Sequence, residues 1–97
     1  MEDRKQIEHK LKEILPMLNS KYKVKNIGIF GSFVHGSANQ DSDIDILVDF
    51  EETPGWEFFD LLEYLESQFG RKVDLVTPNA LRNPLKNKIL NQVKFVS

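Results

Sequence analysis

The sequence contains no cysteine and no long apolar run. Without cysteine, neither a disulfide nor a thiolate metal site can form. No stretch approaches the ~20 apolar residues of a membrane-spanning helix. The first thirteen residues, MEDRKQIEHKLKE, are too charged for a signal peptide. These absences disfavour a disulfide-rich or helical membrane protein, and we expect a cytoplasmic protein without a membrane partner.

What the chain does have is enough apolar sequence for a core. It has 97 residues, of which 40% are hydrophobic, and seven of them are phenylalanine. A chain of this size buries somewhat over ~60% of its unfolded surface when it folds. This composition argues against disorder. We therefore expect one small domain that spans residues 1–97.

Charge is unevenly distributed although the net charge is only -2. Residues 41–66 contain ten acidic side chains and no lysine or arginine, whereas residues 1–25 contain seven basic side chains. Residues 71–97 contain six basic side chains and the single acid Asp74. Two interpretations remain open: ordinary solvated helix faces, or an acidic metal site bordered by basic surfaces that meet phosphates or a partner.

The N-terminal segment predicts an amphipathic helix. Asp3 and Gln6 have the spacing of a capping box. Apolar residues then recur at helical spacing. They are Ile7, Leu11, Ile14, Leu15 and Leu18. Because proline cannot donate to the carbonyl four residues earlier, Pro16 is expected to kink this helix or to end it nearby.

The rest of the chain alternates between strand and helix patterns. Strands are predicted at 24–30, 44–50 and 72–77, with a short fourth strand at 93–96. One helix is expected to start near Thr53, as a possible cap, and to end at Gly70. Another should run from Asn83 and Pro84 to about Gln92. This alternation indicates an α/β protein with a mixed or mostly parallel sheet.

The residues after the first strand are typical of a phosphate-binding turn. A strand that ends in Gly31-Ser32 and enters a helical turn points several backbone N–H groups toward one spot. Gly31 allows a ligand to approach the backbone closely, and Ser32 adds a hydroxyl donor. Taken alone, the pair also fits an ordinary turn.

Two carboxylates open the second strand. Asp43 and Asp45 are two residues apart, so they share one face, while Ile44, Ile46 and Val48 face the other side. Neighbouring carboxylates repel each other and favour a cation between them. Oxygen ligands without cysteine or histidine suit Mg²⁺ or Mn²⁺ better than zinc. The alternative is a solvent-facing strand edge, which the nearby Gly-Ser turn disfavours.

Together these motifs resemble a known family. Gly31-Ser32, Gly36, the run 42–45 and the following Leu-Val are similar to the nucleotidyltransferase signature of the polymerase-β superfamily. The strongest resemblance is to the minimal nucleotidyltransferases, which include antitoxins paired with HEPN-domain toxins. The resemblance covers nearly the whole chain. It implies an α+β fold in which helices flank a small mixed sheet.

The resemblance also implies roles for particular residues. Asp43, Asp45 and Asp74 would be the catalytic carboxylates and would hold two Mg²⁺ ions, or Mn²⁺ in their place. Gly31, Ser32 and Ser42 would bind the nucleotide, which is often ATP in this family and is expected to be ATP here, although the sequence does not fix the base. Members transfer a nucleoside monophosphate to an acceptor hydroxyl, so the expected function is transfer of AMP to a tyrosine of a HEPN toxin.

One departure from the family pattern concerns positive charge. Relatives commonly carry arginine where this chain has Phe33 and His35. Phe33 is expected in the core, and His35, like His9, on the surface. Three residues are candidates to supply the missing charge, although a solvated role is also open for each. They are Arg71, Lys72 and Arg82.

Alternative functions follow from the same residues. The missing arginines favour an inactive relative that neutralises a partner by binding alone, whereas the complete carboxylate set opposes it. A small-molecule or RNA acceptor is a further alternative, but the chain has no acceptor lobe and no continuous basic and aromatic face, so no direct nucleic-acid contact is expected. Trp56, Phe58 and Phe59 could form a docking patch or belong to the core. Core positions are favoured, with Trp56 the most exposed of the three.

Overall fold

The computed structural model describes residues 3–39 and 41–97. Four helices and four strands are present in these residues, with one 3₁₀ turn at Pro78–Ala80. The helices are α1 (Arg4–Tyr22), α2 (Ser32–His35), α3 (Glu57–Phe69) and α4 (Leu85–Gln92). The strands are β1 (Val24–Phe30), β2 (Ile44–Phe50), β3 (Val73–Val76) and β4 (Lys94–Val96). None of the helices in the described ranges is long and apolar enough to cross a membrane.

The strands form one mixed sheet in the order β3-β2-β1-β4. β1 is antiparallel to both β2 and β4, and only β2 and β3 are parallel. The predicted mixed sheet is therefore confirmed, but the mostly parallel alternative is wrong. The connection between β2 and β3 contains α3 and provides the crossover that a parallel pair requires. The described residues between β1 and β2 contain only the four-residue helix α2, and β2 returns antiparallel to β1.

The two faces of the sheet carry different layers. One face packs against α1 and α3 and forms the main core, with Ile27, Ile46 and Leu65 completely buried. The opposite face carries a smaller cluster of Phe30, Leu47 and Ile89, which joins the sheet to α4. The fold thus leaves part of the α4 face available for a site.

Helix α1 begins as predicted but does not end near Pro16. Asp3 and Gln6 form a complete capping box, in which the Gln6 N–H donates to Asp3 and the Asp3 N–H donates to Gln6. The helix continues past Pro16 to Tyr22. Pro16 and Lys12 are both exposed, so water can solvate the Lys12 carbonyl that lacks a helical partner. Burial of Leu18 and Tyr22 stabilises the last turn.

Helix α3 starts later than the sequence indicates. It begins at Glu57, and the N-cap position is Trp56, so Thr53 is not its cap. The Glu57 carboxylate instead accepts a hydrogen bond from the Gly55 N–H at 2.8 Å. The helix ends at Gly70 as predicted, because Gly70 adopts a left-handed conformation with φ of 64°.

The three aromatic residues near the start of α3 differ in exposure. Trp56 is 81% exposed and Phe59 is 59% exposed, whereas Phe58 packs against the main core. The expected exposure of Trp56 is confirmed, and the expected burial of Phe59 is wrong. Helical periodicity explains the difference, since Phe58 lies three residues before the buried Leu61, on the core-facing side.

The C-terminal elements agree with the sequence prediction in order and type. The third strand is shorter than predicted and covers Val73–Val76 rather than 72–77. Helix α4 ends at Gln92 as predicted, and β4 forms from Lys94. β4 pairs with the middle of β1, where Gly28 lies opposite Phe95.

Replacing Gly28 with alanine should weaken the attachment of β4. A Cβ at this position would lie 2.6 Å from the Lys94 carbonyl oxygen, which is backbone and cannot move aside alone. We expect Gly28→Ala to lower the free energy of unfolding by about 1–3 kcal/mol, measured by urea denaturation. Gly55→Ala is the control, since its Cβ would approach only a flexible carboxylate at 3.4 Å. Equal stability of the two variants would contradict this packing.

Candidate active site

The sheet brings two of the predicted carboxylates side by side. Asp45 of β2 and Asp74 of β3 are direct partners in the parallel register. Phe30 pairs with Asp45 from the other side, so these three residues form one row across the sheet. Val73 and Leu75 point into the main core.

The third carboxylate lies directly beside this row. Asp43 precedes the first residue of β2 and is exposed. Its negative charge acts on Asp45, as does that of Asp74. Three carboxylates from two strands therefore face one region, at the edge where β1 ends and β2 begins.

The Gly31-Ser32 turn packs directly against Asp45. Gly31 has φ of 75° and ψ of -144°, a backbone conformation that residues other than glycine rarely adopt. A Cβ at Gly31 would overlap the Asp45 carboxylate. The Ser32 N–H donates to the same carboxylate and favours its charged form. The absence of a side chain at Gly31 is thus what allows the turn and the carboxylate to approach each other.

Burial and the neighbouring acidic side chains together raise the pKa of Asp45. Desolvation is the largest cause, followed by the charges of Asp74 and Asp43, and the pKa of Asp45 rises from 3.8 to about 6. The hydrogen bond from Ser32 opposes this rise but does not cancel it. A cation placed among these groups would reverse the effect, because it favours the charged carboxylates.

The donor set fits a divalent cation that substrate would help to hold. In residues 3–39 and 41–97, no group of three or more acidic, histidine or cysteine side chains is arranged so that the protein alone could hold a metal ion. Mg²⁺ commonly takes one or two protein carboxylates and fills its remaining positions with water and substrate phosphates. Asp43, Asp45 and Asp74 offer only oxygen ligands, which matches this preference.

Ser42 is placed near the site, but its hydroxyl makes a local contact. The Ser42 Oγ accepts a hydrogen bond from the Asn39 N–H at 2.9 Å. The Ser42 N–H in turn donates to the Asn39 carbonyl at 3.1 Å. These bonds link Asn39 to Ser42, the residue immediately before Asp43. In this arrangement Ser42 orients the segment before the carboxylates.

Gln92 is a residue near the site that the sequence analysis did not select. Its Oε1 accepts the Gly31 N–H at 3.1 Å and lies 2.8 Å from Nε2 of His35. Its Nε2 donates to the Lys88 carbonyl, one turn earlier in α4. Gln92 therefore fixes the Gly-Ser turn to α4. A single sequence offers no indication of this contact.

Of the three candidate cations, Arg71 is the one for which side-chain contacts with the segments of the site are found. Its Nη1 donates to the Ser42 carbonyl at 3.2 Å, and its guanidinium lies 5.3 Å from the centre of the Phe33 ring. Phe33 is buried, as predicted. Lys72 and Arg82 are exposed. His9 and His35 are also exposed, which confirms their predicted surface positions.

Comparison with known proteins identifies the family. Residues 11–96 match the nucleotidyltransferase domain family. The protein adenylyltransferase MntA of Thermococcus cleftensis is 46% identical over 80 residues, which cover 81% of each chain. A Methanocaldococcus jannaschii protein with the provisional name of protein adenylyltransferase is 44% identical over 89 residues, covering 84% of this chain and 89% of that protein. The chain belongs to the nucleotidyltransferase domain family and is a nucleotidyltransferase.

Solved structures agree with this assignment. A minimal nucleotidyltransferase superposes with a TM-score of 0.80 at 29% identity, covering 96% of this chain and 95% of that chain. A chain from a toxin–antitoxin crystal with AMP-PNP superposes with a TM-score of 0.71 at 28% identity. The match covers 87% of this chain and 70% of that chain. A chain from the complex of a tri-AMPylated Shewanella oneidensis HEPN toxin with an MNT antitoxin superposes with a TM-score of 0.67 at 26% identity. The match covers 95% of this chain and 70% of that chain. The expected α+β nucleotidyltransferase fold is therefore confirmed.

The raised pKa of Asp45 predicts a specific pH dependence of stability. Folding raises this pKa from 3.8 to about 6, so the folded state binds more protons between those values. Protonated Asp45 therefore contributes favourably to the free energy of unfolding at low pH. This contribution is lost as pH rises through 6 and the carboxylate ionises. Asp45→Asn should be more stable than the wild type at pH 7.5, with a smaller difference at pH 4.

Thermal melts without divalent ions at both pH values test this effect. Asp41→Asn serves as the control, because it removes a nearby exposed carboxylate outside the row. Added Mg²⁺ should raise the melting temperature of the wild type more than that of Asp45→Asn. If Asp45→Asn were less stable than the wild type at pH 7.5, the electrostatic interpretation of this site would be wrong.

Proposed function

We propose that this protein is an adenylyltransferase that transfers AMP from ATP to a side-chain hydroxyl, most specifically a tyrosine, of a HEPN toxin. In this role it is an antitoxin. The observation that carries the proposal is the pairing of Asp45 with Asp74 directly beside the Gly31-Ser32 turn. The names of the relatives support AMP transfer, and the toxin–antitoxin complexes support the partner class.

The proposed site divides into two parts. Asp43 and Asp45 would hold the divalent ion that accompanies the triphosphate, while Ser32 and the adjoining backbone bind its terminal phosphates. Asp74 comes from a separate strand and would face the acceptor hydroxyl. Two bound Mg²⁺ ions would supply charge neutralisation and would polarise the reacting oxygens. Mn²⁺ carries the same charge and accepts the same oxygen ligands.

The proposed reaction is one displacement at phosphorus. The hydroxyl oxygen attacks the α-phosphorus of ATP, and the bond from that phosphorus to the oxygen bridging to the β-phosphate breaks. AMP becomes attached to the acceptor, pyrophosphate leaves, and Asp74 accepts the hydroxyl proton. The chain contributes position and charge, which dominate catalysis of phosphoryl and nucleotidyl transfer.

The proposed partner can be tested by mass spectrometry. We expect a HEPN toxin encoded in the same genome to gain AMP on tyrosine after incubation with this protein, ATP and Mg²⁺. The variant in which both Asp43 and Asp45 are asparagine is the control and should leave the toxin unmodified. Free RNA and the transferase itself should gain little AMP. A toxin that is neutralised without modification would contradict the proposal and favour inhibition by binding alone.

Single asparagine variants test the division of roles among the carboxylates. Asp43→Asn should weaken binding of Mg-ATP as well as transfer, because it removes a ligand of the ion that accompanies the nucleotide. Asp74→Asn should bind Mg-ATP nearly as well as the wild type. Its transfer rate should still fall by roughly 10²–10⁴-fold, since general-base assistance is lost.

Two measurements on each variant decide this point. Calorimetry gives the affinity for Mg-ATP, and labelled ATP gives the rate of AMP transfer. Asp41→Asn is the matched control, since it is an exposed carboxylate near Asp43 and should change neither quantity. The assignment fails if Asp74→Asn loses nucleotide binding as completely as Asp43→Asn, or if it retains full transfer activity.

A further inference from the structure

Arg71 occupies a junction between three segments of the proposed site. It follows Gly70, the left-handed residue that ends α3, and it lies two residues before β3. The Arg71 side chain is partly buried rather than extended into solvent. It therefore has a defined position relative to the elements around it.

Each contact of Arg71 reaches a different segment. The guanidinium lies over the ring of Phe33, the residue after Ser32 in the Gly-Ser turn. Its Nη1 donates to the carbonyl of Ser42, the residue before Asp43. Through its own backbone it leads into β3, which carries Asp74. The Arg71 side chain thus joins the Gly-Ser turn to the segment that precedes Asp43, and its backbone continues into the strand that carries Asp74.

We propose that Arg71 is the positioning residue that holds the Gly31-Ser32 turn and the Asp43–Asp45 segment in register with Asp74. This inference rests on the proposed transferase function, because it explains how that site is held in a reactive arrangement. Arg71 acts through Phe33 and Ser42 and is not itself assigned a contact with the nucleotide.

The chemistry of the contacts requires arginine. A guanidinium is planar, so it can stack on an aromatic ring while its edge donates to a carbonyl. Lysine carries a compact ammonium group with three N–H donors but no planar face, so it could reproduce the hydrogen bond but not the stacking. Phe33 is only 5% exposed, so the ring provides a fixed surface for the guanidinium.

The electrostatics of the site are consistent with this indirect role. The ion pairs found in residues 3–39 and 41–97 are Arg4 with Glu8 and Lys23 with Glu52, so Arg71 forms none there. Asp45 experiences burial and the charges of Asp43 and Asp74, which all raise its pKa. The observed contacts of Arg71 are thus with the Phe33 ring and the Ser42 carbonyl, and not with a carboxylate.

Kinetics of Arg71 variants test the inference. Arg71→Met should lower kcat for AMP transfer by roughly 10–100-fold with a smaller change in KM for ATP, because small misplacements of reacting groups carry costs of this size. Arg71→Lys should recover part of the loss. Arg82→Met removes an exposed arginine outside these contacts and should retain wild-type kinetics.

A double-mutant cycle separates positioning from general destabilisation. Phe33→Leu keeps an apolar side chain but removes the ring, so its effect and that of Arg71→Met should be non-additive. Gly28→Ala is the control for reduced stability, since it acts at β4. If Gly28→Ala lowered kcat as much as Arg71→Met at a matched loss of stability, or if Arg71→Met kept wild-type kcat, the inference would be wrong.

Hydrogen exchange without nucleotide keeps this inference testable apart from the proposed function. The amides of Val34 and His35 donate to Gly31, and that of Ser42 donates to Asn39. Arg71→Met should speed exchange at these amides at least several-fold, and Arg82→Met should not. Absence of AMP transfer by the wild type would overturn the proposed function, whereas unchanged exchange in Arg71→Met would overturn the positioning role.

Discussion

The parallel register between β2 and β3 is the constraint on which the candidate site depends. The Ile44 N–H donates to the Lys72 carbonyl at 3.0 Å, which sets the two strands level at their first residues. Asp45 and Asp74 then become neighbours because each is the second residue of its strand. A shift of one residue would turn one of them into the main core. Proximity of the two carboxylates is therefore a consequence of backbone pairing, and the burial of the adjacent apolar residues maintains it.

This arrangement is electrostatically unfavourable by itself. Asp45 is partly buried and faces two like charges, and both effects raise its pKa. The hydrogen bond from the Ser32 N–H is the one contribution that lowers this pKa. Such a site retains its carboxylates at a cost in stability, which a bound cation offsets. Perturbed groups of this kind are concentrated at functional sites. The unfavourable electrostatics and the proposed chemistry thus arise from the same three residues.

Local patterns were sufficient to predict most of the fold. β1 and β2 were predicted with their observed ends, because an apolar run that stops at glycine or starts after aspartate is visible in the sequence. The sequence does not show that α1 continues past Pro16, because the cost of this proline depends on solvent exposure and on the packing of the following turn. Gln92 contacts Gly31, which is 61 residues away along the chain, and Arg71 contacts Ser42, which is 29 residues away. The periodicity of a sequence does not predict contacts between such distant residues. The carboxylates were predictable, but the residues that position them were not.

The two long strands are placed inside the sheet and the two short strands outside it. β1 and β2 have seven residues each, whereas β3 and β4, which form the edges, have four and three. An edge strand offers unpaired backbone groups to any other chain in extended conformation. In this protein the edge strands present unpaired backbone groups over only four and three residues. Because β4 covers only residues 27–29 of β1 and β3 covers only residues 44–47 of β2, neither side of the sheet offers another chain one continuous edge of seven residues. A nucleotidyltransferase of this size can therefore carry an acidic site at one end of its sheet while limiting strand-to-strand polymerisation.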